Sequence, residues 1–240
     1  MIIAYFKKAL QISIKEWLYF LFLGLSIYIN WNAFMLRESL IDNYKILGYF
    51  IPILSSFLSM FFFFSFAGRV TRHTYDLESY PYIYNLKQSL KATLLFLIYS
   101  IILGILTKLF LYLVSSLLWR FIFFLITFSL TFSFILELLK VFFLEKEVFS
   151  LYDVFNRIIS FKFWSSFLMI TAITFFIQLF QSYLFQSILS TNSLSGILLH
   201  IVALIRSLIF GYLLVLSLVF FVLIFDLKDD TKFEYVEVSI

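Results

Sequence analysis

The sequence predicts an all-α, polytopic integral membrane protein that crosses the bilayer six times. Of its 240 residues, 63% are hydrophobic and only 13% are charged, whereas soluble domains are about half apolar and about a quarter charged. The apolar residues also gather into long runs, each near the length of about 20 residues that a spanning helix needs. The runs are 18–36, 46–67, 92–114, 117–136, 163–189 and 207–225. Since only short segments separate them, residues 1–240 form one membrane domain.

The spans are predicted to be helices and not strands of a barrel. Strands of a membrane barrel alternate between apolar and polar residues, but segments 60–64 and 121–126 are apolar at every position. A helix also satisfies its own backbone hydrogen bonds within lipid. The first run is too long for the apolar part of a cleaved signal peptide, and no small-residue cleavage site follows it. We therefore expect this run to be retained.

The distribution of Lys and Arg predicts that both termini are cytoplasmic. Basic residues concentrate in the cytoplasmic loops of membrane proteins. With the N-terminus inside, the inner segments hold 13 Lys and Arg residues and the outer segments hold 4, namely Arg37, Lys45, Arg120 and Arg206. Tryptophan favours the membrane–water interface, and each of the four lies at a predicted span end: Trp17, Trp31, Trp119 and Trp164. A bacterial inner membrane fits this asymmetry.

Three amphipathic stretches are predicted to lie on the inner leaflet, at 1–16, 85–91 and 148–162. In each of them apolar residues recur at helical spacing beside basic ones, and such helices bind lipid surfaces. The stretch at 85–91 is expected to run directly into the third span. Contacts with lipids or with a partner are expected for Lys7, Lys8, Lys15, Lys87, Lys91 and Arg157. The tail at 226–240 is short, acidic and expected to be cytoplasmic.

Other local signals predict how the helices begin and pack. Ser150 and Asp153 have the spacing of a capping box, which would begin the helix of the third amphipathic stretch. Ser55 with Ser59, and Ser129 with Ser133, lie one turn apart, and small residues of this kind allow helices to approach closely. The apolar segment 194–205 is predicted to be an interfacial or re-entrant helix that leads into the sixth span. Its inclusion in that span is left open.

Three polar residues within or beside the spans are candidates for function. Arg206 lies near the start of the sixth span, where a cation could line a path for an anionic group or could mark the end of the span. Glu137 and Lys140 lie at i,i+3 near the inner end of the fourth span, and they could pair at the boundary or act as an internal polar gate.

Most enzyme chemistries have no counterpart in the sequence, so a non-enzymatic protein without cofactor or metal is predicted. The chain has no cysteine, and it has no zinc-protease, nucleophile-elbow or phosphate-loop motif. His73, near Asp76 and Glu78, is the best candidate for a general base, although a solvated loop explains the same residues. His200 lies on the opposite face of the membrane in the predicted topology. Nucleic-acid binding is not expected, because the basic residues are spread over separate segments.

The segment 139–167, LKVFFLEKEVFSLYDVFNRIISFKFWSSF, resembles part of six-helix membrane proteins related to the membrane domain of glycerophosphodiester phosphodiesterases. The matching features are Glu145 after an apolar run, the amphipathic helix 148–159 and the aromatic entry at Phe163 and Trp164. The catalytic domain of those phosphodiesterases has no counterpart here. The resemblance therefore implies the six-helix layout and no catalytic residue.

The overall layout is also similar to the permease subunits of ABC-2-type exporters, which have about this length, six spans, cytoplasmic termini and an N-terminal interfacial helix. In that family the loop between the second and third spans contacts the ATPase, and residues 68–91 would take that place. Two functions are thus expected from the sequence. The first is a membrane scaffold or accessory subunit that acts through lipids and partner helices, including other membrane subunits or a second copy. The alternative is an exporter permease that pairs with a separate, soluble ATPase.

Overall fold

The computed structural model describes residues 2–35, 44–145, 148–160 and 196–225, together with part of 163–183, and these residues contain helices and no strand. We number the helices in chain order: α1 Ile2–Lys15, α2 Trp17–Met35, α3 Lys45–Thr74, α4 Tyr82–Leu113, α5 Leu117–Phe143, α6 Leu151–Ile159 and α7 Gly196–Phe225. The all-α fold class is therefore confirmed. The acidic tail predicted at 226–240 lies outside the described residues.

Four helices in the described part of the chain are long and apolar enough to cross a membrane, which indicates membrane integration. They cover Ile46–Thr74, Tyr82–Leu113, Leu117–Phe143 and His200–Val222, and they correspond to the second, third, fourth and sixth predicted spans. The first predicted span coincides with α2, a helix of 19 residues. The fifth, at 163–189, lies largely outside the described residues.

The long helices have two distinct ends. The loop 75–81 connects α3 to α4, and α1 packs beside the end of α3 through a hydrogen bond from Lys8 to the Thr74 carbonyl. The hydroxyl of Tyr75 donates to the carbonyl of Val222, near the end of α7. We call this end, which also holds α6 and the C-terminus of α5, the polar end. The opposite end, where α4 finishes and α5 begins, is the far end.

Helix α3 lies at the centre of the bundle. One of its faces contributes Phe66 and Val70 to an apolar core shared with α1, α2 and α7. Another contributes Phe64 and Ala67 to a core shared with α4, α5 and α7. Gly68 brings α3 especially close to α5, because a Cβ atom at this position would overlap the ring of Phe143. Small residues permit such close approaches between membrane helices.

Serines also join helices, as their spacing predicts. Ser59 donates to the Ser26 carbonyl of α2 at 2.8 Å, and Ser55 donates to Asn30 Oδ1 at 2.9 Å. Ser133 of α5 donates to the Val154 carbonyl of α6 at 2.9 Å. These hydrogen bonds satisfy hydroxyl groups that lipid could not solvate.

The three amphipathic stretches form helices where they are described. The second is continuous with the third span in α4, as expected. Ser150 begins α6 as predicted, because its Oγ accepts from the Asp153 amide at 3.2 Å. The reciprocal half of the capping box is absent, since the Ser150 amide donates to Glu137. The first stretch forms α1, which ends one residue before Glu16.

Of the alternatives left open for 194–205, the described residues favour inclusion in the sixth helix. Gly196–Phe225 is a single helix, so 196–205 is its first part and the sixth helix begins earlier than predicted. The run contains no proline, and its residues from Ile197 to Ile205 are apolar except for His200. Nothing in the sequence therefore breaks the helix here.

The far half of the α4–α5 hairpin has a different character from the bundle around α3. No residue from 101 to 128 is buried, and exposed apolar side chains occur on all sides of both helices. The two helices contact each other through the stacked rings of Phe110 and Phe123, whose centroids are 4.0 Å apart. We call residues 101–128 the exposed hairpin.

Candidate functional site: two buried ion networks at the polar end

The first network is centred on Glu16, the single residue between α1 and α2. Its carboxylate is only 6% exposed. It accepts from Arg69 Nε at 2.5 Å and from the second guanidinium nitrogen of Arg69 at 2.8 Å. His73 Nε2 lies 2.7 Å from the same carboxylate. Burying a carboxylate costs several kcal/mol unless ion pairs and hydrogen bonds compensate, and the last turn of α3 supplies both here.

Two aromatic rings enclose Arg69. The rings of Tyr19 and Tyr82 are parallel to within 5°, with centroids 5.9 Å apart. The guanidinium carbon lies 4.9 Å from the Tyr19 centroid and 5.2 Å from the Tyr82 centroid. A guanidinium over an aromatic face is attracted by the ring. Arg69 therefore ties α3 to α2 and to the start of α4 at the same time.

His73 does not pair with the acidic neighbours that the sequence suggested. Its Nε2 atom lies near both Glu16 and the hydroxyl of Ser79, the latter at 3.0 Å. A catalytic serine and its orienting carboxylate would need opposite ring nitrogens, but here both partners share one. This geometry fits a residue that holds the loop 75–81 against α1, and it does not form a proton relay.

The second network is centred on Glu137 in α5, which is fully buried. Arg157 of α6 donates to Glu137 Oε2 at 2.7 Å, and the Ser150 amide donates to Oε1 at 3.2 Å. Lys140 Nζ lies 3.8 Å from Glu137 and 2.8 Å from Asp153. These contacts between oppositely charged side chains fix α6 against the last turns of α5.

Side chains from other elements cap the C-termini of two helices at the polar end. Lys8 donates to the carbonyl of Thr74, the last residue of α3, at 2.7 Å. Arg72 donates to the carbonyl of Phe143, the last residue of α5, at 3.0 Å. The last carbonyls of a helix have no partner within the helix and carry partial negative charge. These two cations therefore complement helix ends as well as carboxylates.

Tyr80 connects the loop 75–81 to Glu145, which lies two residues after the end of α5. Its hydroxyl donates to Glu145 Oε1 at 2.6 Å, and the guanidinium of Arg72 lies 3.8 Å above its ring. Burial raises the pKa of Tyr80, and the hydrogen bond to Glu145 raises it further. Tyr80 therefore remains a neutral donor over a wider pH range than a solvated tyrosine.

Arg206 lies between α2 and α7, away from both networks. Its guanidinium carbon is 4.8 Å from the centroid of Trp31. A helical side chain points toward the N-terminus of its helix, which for α7 is toward the far end. Because α7 begins at Gly196 and its spanning part at His200, Arg206 lies within the spanning helix and not at its end, as the shorter predicted span had it. Nearby, the hydroxyl of Tyr28 lies 2.6 Å from His200 Nδ1.

The structure thus brings together three of the predicted polar residues, Glu137, Lys140 and Arg157, and leaves Arg206 apart. Arg157 was expected at the lipid surface, but it is buried because Glu137 holds its guanidinium. Lys8 is half-buried on Thr74. The remaining predicted contact residues are exposed: Lys7, Lys15, Lys87 and Lys91.

Sequence reasoning missed Glu16 and Arg69. The sequence does contain a pattern that indicates their contact. Arg69 and His73 lie at i,i+4 and therefore on one face of a helix. Two such groups at the end of an apolar run require a buried acceptor. Glu16, next to the first span, is one of few carboxylates that could supply it.

Among the described residues, no group of three or more His, Cys, Asp and Glu side chains could hold a metal ion. In comparisons with family models, curated proteins and solved structures, nothing matches this chain. The function is therefore inferred from the residues and contacts of this chain.

Proposed function

We propose that this protein is a non-enzymatic membrane scaffold or accessory subunit, with six spans and both termini in the cytoplasm of a bacterium. On this proposal the polar end lies at the inner leaflet, in accordance with the concentration of Lys and Arg there. Lipids and other membrane subunits, or a second copy of the chain, are its partners.

The exposed hairpin is the observation that carries the proposal. The charged side chains of the two networks are engaged in holding helices together. Residues 101–128, in contrast, present only exposed or half-buried side chains. In a bilayer, van der Waals packing and interhelical hydrogen bonds drive the association of helices. A long helical pair that contacts little of its own chain offers a surface for partner helices.

The polar end supplies a second surface. Helix α1 is held by Glu16 and by Lys8, and its exposed residues include Lys7, Leu10, Ile14 and Lys15. Exposed lysines at the inner leaflet attract anionic lipids. Helix α1 would therefore position the bundle on the membrane surface while the hairpin engages a partner within the membrane.

Purification of the tagged native protein in mild detergent, followed by mass spectrometry, tests the proposal. We expect other membrane proteins at stoichiometric levels and no ATPase. Removal of residues 1–14 should weaken this assembly. The control variant combines Lys7→Gln with Lys15→Gln, which retains α1 and removes only exposed charge. Assembly that is unaltered by the truncation would contradict a role for α1.

The topology can be tested separately. Because the chain has no cysteine, a single introduced cysteine is the only thiol that can react. We expect Ile83→Cys to react with a membrane-impermeant thiol reagent only from the cytoplasmic side, and Tyr112→Cys only from the opposite side. Both side chains are strongly exposed, at 83% and 89%. The reverse pattern would overturn the orientation.

The alternative proposal is an ABC-2-type permease. Its support is that two arginines of α3 hold the loop 75–81 by hydrogen bonds. Arg69 donates to the Tyr80 carbonyl, and Arg72 donates to the Glu78 carbonyl. A braced loop could transmit movement of a soluble ATPase to α3 and α4. If a stoichiometric ATPase copurifies, substitutions within residues 80–91 should uncouple ATP hydrolysis from transport. Coupling that survives them would remove this alternative.

A further inference from the structure

An open groove runs between α3 and α4 on the surface of the bundle. It has a volume of about 380 Å³ and is lined by Phe57, Leu58, Phe61, Leu86, Lys87 and Leu90. This volume is within the range of about 300–1,000 Å³ that is usual for small-molecule sites. Five of the six lining residues are apolar, so the groove suits a hydrocarbon ligand.

The sixth lining residue, Lys87, lines the groove with the hydrocarbon part of its side chain, so its ammonium group lies beyond the apolar lining. The hydrogen bond from Asn85 to the Ser65 carbonyl at 3.1 Å shows which parts of the two helices lie side by side. Lys87 follows Asn85 by two residues, near the start of α4, and its side chain tilts toward the polar end. Phe57 and Phe61 lie further from the polar end. The groove is therefore charged toward the membrane surface and apolar toward the membrane interior.

Lys87 differs from the buried cations of the polar end. Arg69, Lys140 and Arg157 each contact a carboxylate. In the part of the chain that the structure describes, no acidic side chain forms an ion pair with Lys87. Its ammonium group is exposed and lies beside apolar side chains. An anion bound there would supply the missing charge partner.

We propose that the α3–α4 groove binds one acyl chain of an anionic phospholipid, whose phosphate group contacts the ammonium group of Lys87. A single hydrocarbon chain with a negative charge at one end has the polarity of the groove. Contact of lysine with acidic lipid at the inner leaflet is favourable. The proposal goes beyond the scaffold function, because it needs only membrane integration and holds whichever partner the protein has.

The test compares lipids and variants with the full-length protein in detergent micelles. Phosphatidylglycerol or phosphatidylcholine with identical acyl chains is titrated, and bound lipid is counted by native mass spectrometry. Inorganic phosphate is a third ligand, which separates a lipid site from a plain anion site. The variants are Lys87→Gln and Leu90→Trp, the latter of which fills the groove. The matched control is Lys91→Gln, since Lys91 is also exposed but does not line the groove.

We expect Lys87→Gln to weaken phosphatidylglycerol binding about fivefold, as one lysine at an anionic surface would, and Lys91→Gln to leave it unchanged. Leu90→Trp should reduce retention of both lipids, and phosphate should not compete. Equal losses in Lys87→Gln and Lys91→Gln would overturn the proposal, because they indicate diffuse attraction. Normal retention in Leu90→Trp, or competition by phosphate, would overturn it as well.

Discussion

Helices α4 and α5 extend from the polar end to the exposed hairpin, and their two halves are built on different principles. Near the polar end, the last turns of α5 bury Glu137 and Leu138 completely and contact α3, α4 and α6. In the far half of α5, Phe124 is 61% exposed, and no residue up to 128 is buried. One half of the hairpin is thus fixed by its own chain, whereas the other half depends on its surroundings. Stability should therefore be concentrated at the polar end.

Removal of the central carboxylate of the second network should have the largest effect. We expect Glu137→Leu to lower the free energy of unfolding by about 3–5 kcal/mol, because it removes the buried carboxylate that Arg157 contacts. Thermal unfolding in detergent measures the loss. Glu78→Leu is the control, since Glu78 is exposed. A double variant, Glu137→Leu with Arg157→Met, should recover much of the stability. If the double variant is no more stable than the single one, the ion pair is not the cause.

The same truncation should have different effects in the two halves of the hairpin. Leu138 is fully buried, and Leu109 is 54% exposed. We expect Leu138→Ala to cost about 2–5 kcal/mol, as cavity formation in a core does, and Leu109→Ala to cost much less in detergent. Urea or thermal unfolding of the two variants provides the comparison. Equal losses would contradict the division between a packed and an exposed half.

Two glycines sharpen the comparison further. A Cβ atom at Gly68 would overlap Phe143, whereas Gly104, in the exposed hairpin, has no atom within 4 Å of such a Cβ. We expect Gly68→Ala to destabilise the protein by about 1–3 kcal/mol through overpacking. Gly104→Ala should be neutral or stabilising by up to about 1 kcal/mol, because alanine favours helix more than glycine does. A Gly68→Ala protein with unchanged melting temperature would contradict the close contact of α3 and α5.

The smallest expected effect concerns Tyr80 and pH. A tyrosine pKa that is raised in the folded state contributes stability that is present below the ordinary value of 10.0. That contribution is lost as the pH rises through the folded-state value. We expect Tyr80→Phe to cost on the order of 1 kcal/mol at neutral pH, the usual net value of a hydrogen bond. The cost should shrink above pH 10.0. Melting curves from pH 7 to pH 11 test this, and a cost that grows with pH would contradict the assignment.

Much of the fold follows from local sequence patterns. The lengths of the apolar runs predict the four described spanning helices, and the spacing of Ser150 and Asp153 predicts the start of α6. These features depend on residues close together in the chain. The choice for 194–205 between a surface helix and the first turns of the sixth span stayed open for a similar reason, because the periodicity of an apolar helix does not distinguish the two.

The ion networks were only partly predictable. Glu137 and Lys140 are three residues apart, so their proximity was visible. Glu16 and Arg69 are separated by 53 residues, and their pairing depends on how α1, α2 and α3 pack. His73 was assigned to the acidic residues nearest in sequence. The packing of the helices instead brings Glu16 next to His73. The buried carboxylate of Glu16 binds both Arg69 and His73, which lie on the same face of α3.

The position of Glu16 in the chain also determines when the N-terminal helices can become fixed during synthesis. Its partner His73 follows 57 residues later, and ribosomes add roughly 5–20 residues per second. Roughly 3–11 seconds therefore pass between the synthesis of Glu16 and the synthesis of His73, the last of its partners. During that time α1 and α2 have no ionic anchor, and they become fixed only when the end of α3 and the loop 75–81 emerge. Glu137 and Arg157, 20 residues apart, meet sooner after synthesis, so α6 joins α5 by a nearly local step. The ionic anchor of the N-terminal helices thus forms with the third helix, whereas the apolar core that they share with α7 is completed only after that last helix has been made.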